Sequence, residues 1–121
     1  MTDFFEECVT QALDDLPQMF RDKMDNVGVI VEDFADTESL QSLGIESRWN
    51  LLGLYVGVPL NKRSVFSSSG MPDRIYLYRR PILVAAGHHE NVSSTIRDVL
   101  IHEIGHHFGF DEDELEAMDR N

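Results

Sequence analysis

All five histidines of this 121-residue chain, His88, His89, His102, His106 and His107, fall within one short stretch of its C-terminal third. Among them stands His102-Glu103-Ile104-Gly105-His106, an HExxH pattern. Residues four apart on a helix share one face, about 5–6 Å from each other, so the imidazoles of His102 and His106 can converge on one ion at Zn–N distances of about 2.0–2.1 Å. Glu103 projects about 100° around the helix from His102. That is too far for a third equivalent ligand and near enough to reach a water on the metal. A zinc ion would bring that water's pKa toward neutrality, and the carboxylate would take its proton as hydroxide attacks a polarised carbonyl.

Two histidines leave a catalytic zinc one protein ligand short. Gly109 falls seven residues after His102 and suits the end of a helix, so the chain can reverse there and bring Asp111, Glu112 and Asp113 beneath the metal. All three compete. Counting the extended spacing HExxHxxGxx(ligand) from His102 puts Glu112 in the third position, with Asp111, one residue early, in reserve. His107 faces away from His106 and is expected to pack or to hydrogen-bond behind the ligands. His88 and His89 follow Gly87 in a loop, where histidines are usually just exposed. Tyr76, Tyr78, Arg79 and Arg80 are candidates for oxyanion stabilisation or for docking an extended peptide against a half-exposed strand.

These residues need elements to hold them. Asn91, Ser93 or Ser94 can cap a helix running to Phe108, whose Val92, Ile96, Val99, Leu100, Ile101, Ile104 and Phe108 cover much of its circumference and predict a core element. Histidines and a carboxylate buried there need partners, which a metal supplies. Gly105 costs that helix about 1 kcal/mol relative to Ala and is expected where something packs closely. Upstream, Phe4, Phe5, Cys8, Val9, Ala12, Leu13 and Leu16 follow helical spacing from Asp3 to Leu16, and Pro17 ends the run. A short helix over Gln18 to Met24, a buried strand over Val27–Val31 and one helical turn over 37–43 opened by Thr37 come next. Leu51–Val58 reads as a strand in which Gly53 and Gly57 mark bends or a close backbone approach. Residues 61–70, with three consecutive serines, read as a loop and the best candidate for a mobile rim. Arg74–Arg80 alternates as a half-exposed strand does, Pro81 opens a short helix over Ile82–Ala86 closed by Gly87, and the acidic residues 111–120 carry a last helix.

With 42% apolar residues and 13.8 kDa, the chain is sized for one core, and residues 1–121 are expected to form a single domain. No stretch approaches the roughly 20 apolar residues of a membrane span. The start, Met1-Thr2-Asp3-Phe4-Phe5-Glu6-Glu7, has neither a basic segment nor an apolar signal region, so a cytoplasmic location is the expectation. The lone Cys8 is expected to be a buried small hydrophobe. The net charge of −12 disfavours nucleic acid as a partner. It is unevenly spread: residues 1–46 hold 12 acids against two bases, 47–110 four acids against seven bases, and 111–121 six acids against one base.

The block Pro72-Asp73-Arg74-Ile75-Tyr76-Leu77-Tyr78-Arg79-Arg80-Pro81, followed by Ile101-His102-Glu103-Ile104-Gly105-His106-His107-Phe108-Gly109, resembles the minimal zincin family of bacterial neutral zinc metallopeptidases. Leu51–Leu60 and Val27–Val31 resemble it too, so the likeness runs along nearly the whole chain. It implies an α+β domain with a small mixed β-sheet packed on an N-terminal helix and an HExxH active-site helix. It also implies zinc on His102 and His106 with Glu103 as the catalytic carboxylate. Family members often read Gly-x-Ser-Asp after the helix, whereas Gly109-Phe110-Asp111-Glu112 stands here, with Glu112 at the spacing of the family's Asp. The expected activity is zinc-dependent hydrolysis of a peptide or protein substrate, and so short a chain leaves a homo-oligomer or a partner protein open as a contributor to the cleft. A metal-dependent endoribonuclease is the alternative, since Gly109–Glu112 also resembles the Gly-Tyr-Asp-His segment of an rRNA-maturation ribonuclease family. That family has Gly where Glu103 stands and His where Glu112 stands. A third reading is a non-catalytic domain whose zinc holds the fold.

Overall fold

The carboxylate of Asp3 accepts the Glu6 N–H at 2.7 Å, satisfying one of the donors that a helix start leaves over, and opens helix α1 over Phe4–Asp14. The structure, a computed structural model, describes residues 3–57, 73–110 and 113. After α1 come α2 (Gln18–Lys23), strand β1 (Val27–Glu32), α3 (Thr37–Leu43), a single 3-10 turn at Arg48–Asn50, β2 (Gly53–Val56), β3 (Asp73–Tyr78), α4 (Arg79–Ala86), a second 3-10 turn at His89–Asn91, and α5 (Val92–His107). The loop expected over 61–70 and the helix expected over 111–120 lie outside the described residues, apart from the exposed Asp113.

The strands form a mixed sheet in the order β1-β3-β2, with β1 parallel and β2 antiparallel to β3. Together with the helices this is the expected α+β class. Two expectations about the strands are corrected. β1 is an edge strand of intermediate burial, and β3, expected to be half-exposed and open to a peptide, is the middle strand, with both of its edges already paired. Side chains alternate along β3 as the pleat requires. Ile75 and Leu77 enter the main core, while Tyr78 enters a second cluster with Ala35 and Leu40, against which Tyr76 packs.

The main core joins α1, through Phe5, Cys8, Val9 and Ala12, to α5, through Val92, Ile96, Leu100, Ile101 and Ile104. Cys8 is buried as expected. The buried positions of α5 make a single stripe and not the broad apolar circumference expected. Phe108 is exposed, and no polar or charged residue is fully buried among those described. Arg79 and Arg80 belong to α4 and not to the strand before it. Pro81 is therefore the third helical residue, a position whose missing N–H costs nothing because the first-turn donors have no carbonyl to reach. Asp36, one residue before Thr37, caps α3 by accepting the Ser39 N–H at 2.7 Å.

Candidate functional site

α5 ends just beyond the HExxH pattern. Gly109 adopts φ +88°, a left-handed conformation that suits glycine, and the Phe110 N–H returns to the Gly105 carbonyl at 2.8 Å. Phe110 then tucks against Phe20, with ring centroids 6.1 Å apart. The helix is thus stopped and tied back to the core one turn after His106.

His102 and His106 lie on one face of α5, their ring centroids 6.1 Å apart and their planes at 78°. Nδ1 of His102 lies 2.9 Å from the Asp98 carbonyl oxygen, which can only accept. The ring therefore donates through Nδ1–H and carries its lone pair on Nε2, the arrangement in which a ligating histidine is oriented by its second nitrogen. This is the observation on which a zinc-like ion fits: two imidazoles on one helical face, one with its tautomer set for coordination. Among the described residues no set of three His, Cys, Asp or Glu side chains is placed to hold an ion. Asp113 completes no such set, and Glu112 and Asp111 lie outside the described residues.

Glu103 faces strand β2. Its Oε1 accepts the backbone N–H of Tyr55 at 3.1 Å, a donor on the side of β2 away from β3. Burial raises the Glu103 carboxyl pKa above the ordinary glutamate range, and the Tyr55 N–H, His106 and His102 offset this only in part. β2 reaches Glu103 because it rests directly on the helix. A Cβ on Gly53 would come within 2.6 Å of Val99 Cγ1 and 3.0 Å of the Tyr76 carbonyl, with Glu103 Cγ at 3.7 Å. The close approach expected of Gly53 and Gly57 is therefore present at both, since a Cβ on Gly57 would come within 2.6 Å of His107 Cε1. A cleft of about 550 Å³ opens beside these groups, lined by residues 50–53, by Ala85, and by Thr95, Asp98, Val99, His102 and Glu103 of α5.

The remaining candidates are distributed differently. His107 stacks on Tyr55 with centroids 4.0 Å apart, the packing role expected of it. His88 and His89 line a separate hollow with Gly87 and Glu90, and His89 packs against Phe4. Tyr78 is 2% exposed within the second cluster, and the Arg79 guanidinium lies 3.7 Å from Asp33 and 3.9 Å from Asp3. Tyr78 is thus a packing residue of the second cluster, Tyr76 packs against that cluster, and Arg79 is engaged between the start of α1 and the end of β1. Tyr55 is what sequence reasoning missed. Its contribution to Glu103 comes from the backbone, and the one visible sign was the pair of glycines flanking it.

A family model described as zincin-like metallopeptidase matches residues 24–121, from the end of α2 onward. No curated protein shows significant similarity to the chain. No helix among the described residues is long and apolar enough to cross a membrane.

Proposed function

Given that the chain belongs to the zincin-like metallopeptidase family, we propose that it hydrolyses peptide bonds with one zinc ion, held by His102 and His106 with Glu112 as third ligand, and with Glu103 as general base. The observation that carries this reading is the placement of Glu103: a partly buried carboxylate beside two histidines of one helical face, its Oε1 pinned by the Tyr55 N–H. Zinc, when bound, supplies Lewis acidity that polarises the scissile carbonyl and acidifies water.

His102 would hold the ion through Nε2, because the Asp98 carbonyl engages the other nitrogen. Glu103 keeps Oε1 on Tyr55 and takes the proton of the attacking water at Oε2. The same carboxyl then passes that proton to the departing amine, so the group returns to its starting form. Its raised pKa makes it a better proton acceptor than a surface carboxylate. Substrate docking falls to β2, the strand beside Glu103 that among the described residues has β3 on one side only, and an extended peptide would lie in the cleft between residues 50–53 and α5. Glu103 also separates this reading from the ribonuclease one, whose relatives carry glycine at that position.

The test is stoichiometry joined to turnover. Equilibrium dialysis should find one zinc per chain, reduced by Glu112→Ala and abolished by His102→Ala. The loaded protein should cleave members of a random peptide library in a manner that a chelator stops. Absence of zinc binding sinks the proposal.

A further inference from the structure

His106 occupies the last turn of α5, and helix ends are where backbone hydrogen bonds open most readily. A ligand placed there needs something beyond the helix itself to hold it still. The next residue, His107, lays its ring on that of Tyr55 at 4.0 Å and 18° between planes. The Tyr55 hydroxyl donates to Asp73 Oδ2 at 2.9 Å, and the same carboxylate oxygen lies 3.9 Å from His107 Nε2. Asp73 is the first residue of the central strand, with a side chain only 15% exposed. Gly57 closes the far side, since its missing Cβ leaves the space that His107 Cε1 occupies. Through its side chain, then, Tyr55 ties the end of α5 to β3. Through its backbone N–H the same residue holds Glu103, one turn earlier on the helix.

We propose that Tyr55, Asp73 and His107 form a positioning clamp that fixes the His106-bearing turn of α5 and Glu103 relative to one another. None of the three is a catalytic residue. They act through the two groups they hold, and only the consequence at the metal rests on the function proposed above. If the contacts were ordinary packing, losing the tyrosine hydroxyl would loosen the domain evenly. A clamp loosens one turn.

Amide hydrogen exchange in the metal-free protein separates these outcomes. Tyr55→Phe keeps the stacked ring and removes the hydroxyl that donates to Asp73, and Asp73→Ala removes the acceptor of that bond. Each variant should speed exchange of the amides from Gly105 to Phe108 about five- to tenfold, the equivalent of one hydrogen bond, and leave those of α1 and of Ile96–Leu100 unchanged. The double variant should fall well short of the sum of the two. Zinc affinity, read by chelator competition, should fall about tenfold or more, as it does when a group that orients a ligand is lost. Unchanged last-turn exchange, or acceleration spread equally over α1 and α5, overturns the clamp, and so does undiminished zinc affinity in both variants. A wild-type protein that binds no zinc refutes the metal site alone, since the exchange measurement still decides the clamp.

Discussion

Tyr55 gives its backbone N–H to Glu103 Oε1 at 3.1 Å, so the orientation of the carboxylate depends on where strand β2 lies. This places control of the site in the contact between β2 and α5.

Gly53→Ala tests that contact. The added methyl meets Val99 Cγ1 at 2.6 Å and the Tyr76 carbonyl at 3.0 Å, and the second of these is backbone that cannot turn aside. We expect a loss of about 1–3 kcal/mol in urea unfolding, the usual cost of overpacking. Adding Val99→Ala should restore part of it, because only the side-chain clash is relieved.

Ile104 is 0% exposed and sits between Glu103 and Gly105, with its side chain in the main core. Ile104→Ala should cost about 2–5 kcal/mol, the range for a large apolar side chain removed from a packed interior. The same measurement on Val84→Ala, whose side chain is 67% exposed, should show a change within about 0.5 kcal/mol.

Removal of zinc should weaken the domain without unfolding it. The stripe from Val92 to Ile104 packs α5 on α1 and the sheet through apolar side chains. Circular dichroism of chelator-treated protein should retain the helical signal. Zinc at a hundredfold excess over its Kd should raise the unfolding free energy by about 2.7 kcal/mol through mass action. Collapse of the helical signal on chelation would favour a zinc that holds the fold.

Burial, with smaller contributions from Glu32 and Asp36, pushes the Tyr78 phenol up to about 12 from its ordinary 10.0. The folded protein keeps this proton at pH values where the unfolded chain has released it, so ionisation favours unfolding. Stability is unaffected by Tyr78 below pH 10 and falls between pH 10 and about 12. Denaturation at pH 8 and pH 11.5 should show a smaller alkaline loss for Tyr78→Phe than for the wild type, and an absorbance titration of that variant should show one late-ionising tyrosine fewer than the wild type.

The helix that carries the HExxH pattern was legible because several signals agree on it: recurring apolar residues, a capping region at Asn91, and Gly109 at its end. The two glycines around Tyr55 announced a close approach without saying what approached. What the sequence could not reveal was the order of the strands. The alternation of Arg74–Tyr78 looks the same whether the polar and aromatic face meets water or a second cluster, and only tertiary pairing decides between them. Hence β3, expected to be half-exposed, is central. Backbone donors leave no residue-type signature at all, and so neither the Tyr55 N–H nor the Asp98 carbonyl that sets the His102 tautomer could be read in advance.

The most direct test of the account is the hydrolysis rate of the zinc-loaded protein with glutamine in place of Glu103. Glu103→Gln keeps the shape and can still accept the Tyr55 N–H, but it cannot take a proton from water. It should bind zinc as the wild type does and cleave a chosen library peptide with kcat lower by about 10²–10⁴-fold. A variant that binds zinc and cleaves at the full rate would contradict Glu103 as the general base, and with it the catalytic reading of the HExxH helix.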